Sequence, residues 1–181
     1  MQPFEVLSRE RVLDNRWMPV EKQLVRLPNG ETADWYITRS SDAVIVVPVL
    51  ASGEILLQRN YKHGAGEVVT EFCAGLVDPG EAPLETARRE LLEETGYAAE
   101  HWTQLGTTYA NPTGSSMRYH IYLAEQAFYH QAPDLEGGEQ IETFLVDDLD
   151  ATARLLCSPD TPSATAAFTA LAFAQQYCAQ Q

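Results

Sequence analysis

The chain has 181 residues, 45% of them hydrophobic, and a formal net charge of −14. That size suffices for one core-bearing domain with a small appendage, and the acidic balance excludes attraction to nucleic acid or anionic lipid through bulk charge. Three scattered cysteines, Cys73, Cys157 and Cys178, fit neither a disulfide framework nor a zinc site and point to a reducing, cytoplasmic setting.

The opening residues carry no basic, apolar leader, so no signal peptide is expected. The longest apolar run, residues 43–51, is too short to span a bilayer. Residues 4–39 alternate and turn: 20–27 reads as a strand, Pro28-Asn29-Gly30 as a hairpin turn and 32–38 as the returning strand. A small antiparallel sheet carrying Trp17 and Trp35 follows from this. The polar break Arg39-Ser40-Ser41-Asp42 divides an expected N-terminal sheet, 1–40, from a main domain, 41–181.

Residues 43–50 read as a buried, β-branched strand and 55–61 as its return. A glycine-rich loop precedes a further strand over 68–74. The turn Asp78-Pro79-Gly80 then leads into a helix over 81–95 that Gly96 ends. Strands are expected over 102–109, 118–124 and 141–146, with loops at 111–116 and 133–140. Helices over 148–156 and 163–179 close the chain, the last rich in alanine.

The chemistry concentrates between Gly75 and Tyr97. At 100° per residue, Glu90, Glu93 and Glu94 fall within an arc of about 100°, beside an apolar stripe of Leu84, Ala87 and Leu91. Glu90 and Glu94 are a like-charge i,i+4 pair, which costs a few tenths of a kcal/mol until a hard cation sits between them. Arg89 can pair with Glu85 or Glu81 and hold the turn against the helix. Gly75, without a Cβ, permits close approach to its backbone. Alone, a Glu-Glu pair more often marks a solvated helix face. Here the whole stretch fits Gly-x5-Glu-x7-Arg-Glu-apolar-x-Glu-Glu-x-Gly-apolar, for which ordinary residue frequencies give a chance match of about one in ten million.

That pattern is the Nudix box, and the chain resembles the Nudix hydrolases. The resemblance implies an α/β class fold: an α/β/α sandwich around a mixed sheet, here with the small N-terminal antiparallel sheet added. It implies hydrolysis of a nucleoside diphosphate linked to another group, with Mg²⁺ or Mn²⁺ as cofactor. By position the metal ligands are Glu90, Glu94 and the carbonyl of Ala74, with Glu93 assisting. The segments 74–81 and 58–63, together with Pro112, are similar to the ADP-ribose pyrophosphatases. The chain departs from that subfamily at Thr113, inserted in its usual Ser-Pro-Gly, and at Thr70-Glu71-Phe72-Cys73, where Trp-Glu-Leu-Pro is common; Glu71 keeps its place.

Within the resemblance, a late-loop glutamate positions or deprotonates the attacking water; Glu139 is the expected residue and Glu136 the alternative. Arg59 is a candidate phosphate contact, with Lys62 and Arg118 as weaker ones. The subfamily's N-terminal sheet is exchanged across a homodimer, and Trp17 is a candidate for stacking on the nucleobase. The expected reaction is ADP-ribose to AMP and ribose 5-phosphate. Two alternatives stay open: another nucleotide sugar such as GDP-mannose, or a module that binds a nucleotide sugar without cutting it. No nucleic-acid or membrane partner is expected.

Overall fold

A computed structural model describes residues 1–15 and 17–181. Two compact units emerge, one of residues 1–42 with 109–118 and one of residues 43–108 with 119–181.

In the first unit, β1 (Glu5–Leu13), β2 (Val20–Arg26) and β3 (Thr32–Thr38) form an antiparallel sheet in the order β1-β2-β3. The β2–β3 hairpin closes at Gly30, whose φ of +88° is the left-handed conformation glycine adopts at little cost. The alternation expected over 4–39 does not extend to β1, which the sequence does not set apart as a strand: its apolar residues stand in adjacent pairs, Val6-Leu7 and Val12-Leu13, and every residue of it is exposed. The loop 109–118 belongs here: the Thr38 amide donates to the Gly114 carbonyl (2.8 Å) and Trp35 Nε1 to the Thr113 carbonyl (3.0 Å).

The second unit is built on β4 (Ala43–Leu50), β5 (Ile55–Lys62), β6 (Glu67–Glu71), β7 (Cys73–Leu76), β8 (Tyr97–Ala98), β9 (His101–Tyr109), β10 (Arg118–Tyr129) and β11 (Ile141–Val146). The path runs β11-β5-β4-β10-β8, with β6 on β5, β7 on β4 and β9 on β10. β4 and β10 are parallel, and the pairings of β4 with β7 and of β5 with β6 and β11 are antiparallel, so the sheet is mixed. Helix α1 (Pro83–Thr95) packs on one face through Ala87 and Leu91, against Val44, Val46 and Leu56. Helices α2 (Leu149–Leu156) and α3 (Thr165–Cys178) cover the other, where Ile45, Val47, Leu57 and Phe72 meet Leu156, Ala167 and Leu171. The result is the expected α/β/α sandwich.

Three local expectations need correction. The strand expected over 68–74 is two strands, because the chain leaves its pairing with β5 at Glu71 and joins β4 from Cys73. The helix begins at Pro83 instead of residue 81, since proline suits the first turn, where an amide would lack a partner. The strand expected to stop at residue 124 runs to Tyr129, past an irregularity at Gln126 with φ +53°. Among the described residues no helix is long and apolar enough to cross a membrane.

Candidate active site

The turn before α1 has the backbone its residues require. The Glu81 amide donates to the Asp78 carbonyl (3.0 Å), and Gly80 takes φ +87°, the positive φ of the position after proline in a type II turn. Gly96 ends the helix at φ +74°, its amide donating to the Leu92 carbonyl (2.8 Å).

With Ala87 and Leu91 anchored in the core, the acidic arc rolls partly inward. Glu94 is 4% exposed and Glu90 largely covered, while the Glu93 side chain is 45% exposed. Glu94 Oε2 accepts from the Ala74 amide (3.1 Å) and from Gln58 Nε2 (3.2 Å), and the Cys73 thiol also donates to this carboxylate. Burial nevertheless outweighs these donors and pushes Glu94 up to about 7. Burial also raises Glu90, against the pull of Arg89 and with help from the charges of Glu93 and Glu139.

Glu90 lies directly over Gly75, where a Cβ would stand 1.9 Å from its carboxyl carbon. Arg89 spreads its fork over three carboxylates: Nε and Nη2 to Glu81 (3.1 and 3.0 Å), Nη1 to Glu90 and Glu93 (both 2.9 Å). Of the two partners open in the sequence, Glu81 is the one Arg89 holds, while Glu85 pairs with Arg88 (3.1 Å). Arg89 and Thr86 hold the Glu81 carboxyl below its usual range.

The late loop reaches the same place. Glu139 is near enough for its charge to raise Glu90, and its Oε2 accepts from the Glu136 amide (2.9 Å), closing one turn that holds both loop acids. Strand alternation sorts the β5 residues. Gln58 and Asn60 fall with Leu56 on the α1 face, where Asn60 Nδ2 donates to the buried Glu71 (3.1 Å) and Lys62 pairs with the same carboxylate (2.6 Å). Arg59 falls on the opposite face, over the Phe144 ring at 4.5 Å.

Trp17 and Pro112 belong to the other unit. Trp17 is exposed, and its amide donates to Asn15 Oδ1 (2.9 Å). Pro112 lies in a turn where the Ser115 amide donates to the Asn111 carbonyl (2.8 Å). Arg11 and Arg39 line a cavity of ≈ 530 Å³ in that unit, paired with Asp14 and Glu21 respectively. Sequence reasoning missed Gln58 and Cys73 as donors to Glu94. The signal was available for Gln58: a polar residue at a buried-face position of an otherwise apolar strand.

Among the described residues no three His, Cys, Asp or Glu side chains are gathered closely enough to hold a metal ion as they stand. Arg89, a cation, occupies Glu90 and Glu93 instead. The donor set still fits a hard divalent ion: all its ligating atoms are oxygen, two are buried carboxylates, and the missing Cβ of Gly75 leaves the space Glu90 fills.

Residues 39–158 match the NUDIX domain, and residues 4–38 match the nucleoside diphosphate sugar hydrolase N-terminal domain. The chain is 29% identical to an ADP-ribose pyrophosphatase of Bacillus subtilis over 148 residues, 81% of this chain and 80% of that one. It is 36% identical to a CMP-5'-(N-acetyl-N-hydroxy-3-aminopropyl)phosphonate hydrolase of Streptomyces rubellomurinus over 170 residues, 90% of this chain and 79% of that one. A solved structure titled as an ADP compounds hydrolase superimposes with a TM-score of 0.87 at 27% identity, covering 100% of this chain and 97% of its own.

Proposed function

Since the chain belongs to the Nudix hydrolases, we propose that it cleaves the pyrophosphate of ADP-ribose to AMP and ribose 5-phosphate, using Mg²⁺ or Mn²⁺. The observation that carries this reading is the buried pair Glu90 and Glu94, one over Gly75 and the other clamped by backbone and side-chain donors. Glu90, Glu94 and the Ala74 carbonyl would hold the ion, with Glu93 at the exposed edge. A bound divalent ion supplies Lewis-acid help and lowers the pKa of a coordinated water. Glu139 orients the attacking water and accepts its proton at the carboxylate. Glu71, held by Asn60 and Lys62, keeps that lysine beside the site. We assign the phosphate contact to Lys62 in preference to Arg59, because Lys62 shares the Glu94 face of β5.

Trp17 and Pro112 are proposed for the nucleobase end. The relatives support an ADP compound but differ in base, one acting by name on a CMP derivative. We further propose that the N-terminal sheet, about residues 1–40, mediates a homodimer: a nine-residue edge strand exposed throughout is a poor terminus for a free sheet. A cytoplasmic setting fits the three free cysteines.

The test is a panel of ADP-ribose, GDP-mannose and CMP derivatives, with products separated by chromatography in Mg²⁺, Mn²⁺ and EDTA. AMP and ribose 5-phosphate from ADP-ribose, lost in EDTA, are expected. Tight ADP-ribose binding without product in either metal would replace the enzyme reading with a binding module.

A further inference from the structure

We infer that Gln58 is a positioning residue whose amide fixes the Glu94 carboxylate for the divalent ion. The inference rests on the proposed function above and extends it to a residue outside the box. Gln58 is 1% exposed on an apolar stretch of β5, where its neighbour on the same face, Leu56, is fully buried. Its Nε2 donates to Glu94 Oε2 at 3.2 Å. Its Oε1 is, among the described residues, the one buried side-chain polar atom with no hydrogen-bond partner. An unpaired buried acceptor costs roughly 1–3 kcal/mol, so a leucine or methionine would suit the fold better.

Orientation follows from the chemistry of the pair. A metal ligand must be ionised, and against the ionised Glu94 a turned-over amide would set Oε1 on a carboxylate oxygen, two acceptors face to face. Together with the Ala74 amide at 3.1 Å, Nε2 places two donors on one oxygen of Glu94 and so sets the plane of the carboxylate. Outer partners of this kind orient metal ligands, and their loss typically costs 10–100-fold in affinity.

The experiment uses Gln58→Met, which removes the amide at similar volume, and Gln58→Glu, which keeps the shape but, once ionised, donates nothing and sets a like charge against Glu94. Mn²⁺ is the probe, its free concentration read by electron paramagnetic resonance. Urea unfolding without metal is measured alongside. Gln58→Met is expected to be as stable as the wild type or more so without metal, yet to bind Mn²⁺ about 10–100-fold more weakly. Gln58→Glu is expected to lose at least as much. In ADP-ribose hydrolysis the Mg²⁺ concentration for half-activity should rise by a similar factor while kcat at saturating Mg²⁺ changes less. A folded variant that binds Mn²⁺ within twofold of the wild type would overturn the inference and leave the proposed function standing. If neither variant folds, Gln58 is a packing residue and the inference falls. Failure of the wild type itself to bind Mn²⁺ would overturn the proposed function, and this inference with it.

Discussion

Replacing Gly75 by alanine tests the site through a single methyl group. The new Cβ would stand 1.9 Å from the Glu90 carboxyl carbon, whereas ordinary contact begins at 3.4 Å. The carboxylate must therefore retreat by about 1.5 Å, and because it ends a flexible side chain it can do so without disturbing β7. Gly75 does not have a positive φ, so alanine fits the backbone, and stability should hold or rise by up to about 1 kcal/mol. Activity should not hold. A displacement of about 1 Å at a reacting centre costs on the order of 10²-fold, or about 2.7 kcal/mol of transition-state stabilisation. The assay is kcat/KM for ADP-ribose in saturating Mg²⁺, with thermal unfolding run in parallel. A cycle with Glu90→Gln isolates the cause. If alanine acts by evicting Glu90, the double variant is no worse than Glu90→Gln alone. Near wild-type kcat/KM in Gly75→Ala, or additive losses in the double variant, would refute the reasoning.

Glu94 gives a stability signature without any substrate. Burial raises its folded pKa to about 7 from an ordinary 4.5, so the folded chain holds the proton longer than the unfolded chain. Metal-free stability should accordingly fall by about 3 kcal/mol as pH rises from the ordinary value through the raised one; Glu94→Gln should flatten this in urea titrations, and an unchanged slope counts against the assignment. Glu139→Gln should lower kcat by about 10²–10⁴-fold while Mn²⁺ binding holds, and a near wild-type kcat excludes Glu139 as the base. Gly96→Ala forces a side chain into φ +74° with its Cβ 2.1 Å from the Gln131 carbonyl oxygen. A loss of roughly 2 kcal/mol or more is expected from the urea midpoint, and a loss below about 0.5 kcal/mol would show that the cap relaxes freely.

The helix and most strands were legible because their signals are local and periodic; the sandwich that assembles them came from the resemblance to the Nudix hydrolases. The Asp78-Pro79-Gly80 turn, the Ala87–Leu91 stripe and the Gly96 cap each fix a backbone state over a few residues. The inward roll of Glu90 and Glu94 follows from the same 100° step. What escaped depends on pairing partners distant in sequence. Nothing between Val68 and Ala74 announces that the strand changes partner at Phe72, since the whole run reads as one extended segment without a turn residue. β1 carries its apolar residues in adjacent pairs instead of on one face, in keeping with neither face being buried within the chain. Gln58 and Cys73 were legible as buried positions but not as donors, because Glu94 lies 36 residues from Gln58 in sequence. Arg59 shows a different limit: its strand was legible, but a match by position does not give the face on which a side chain emerges, here the one that carries Phe144.

The change of partner at Phe72 has a mechanical consequence. On either side of it, Glu71 and Cys73 turn toward α1, while the Phe72 ring plugs the layer beneath α2 and α3. One residue further, the Ala74 amide grips Glu94. A single extended tripeptide thus bolts the acidic centre to the packing of the far layer. This side of the centre cannot fray on its own, as an active-site loop can; it opens only when the deepest part of the domain does.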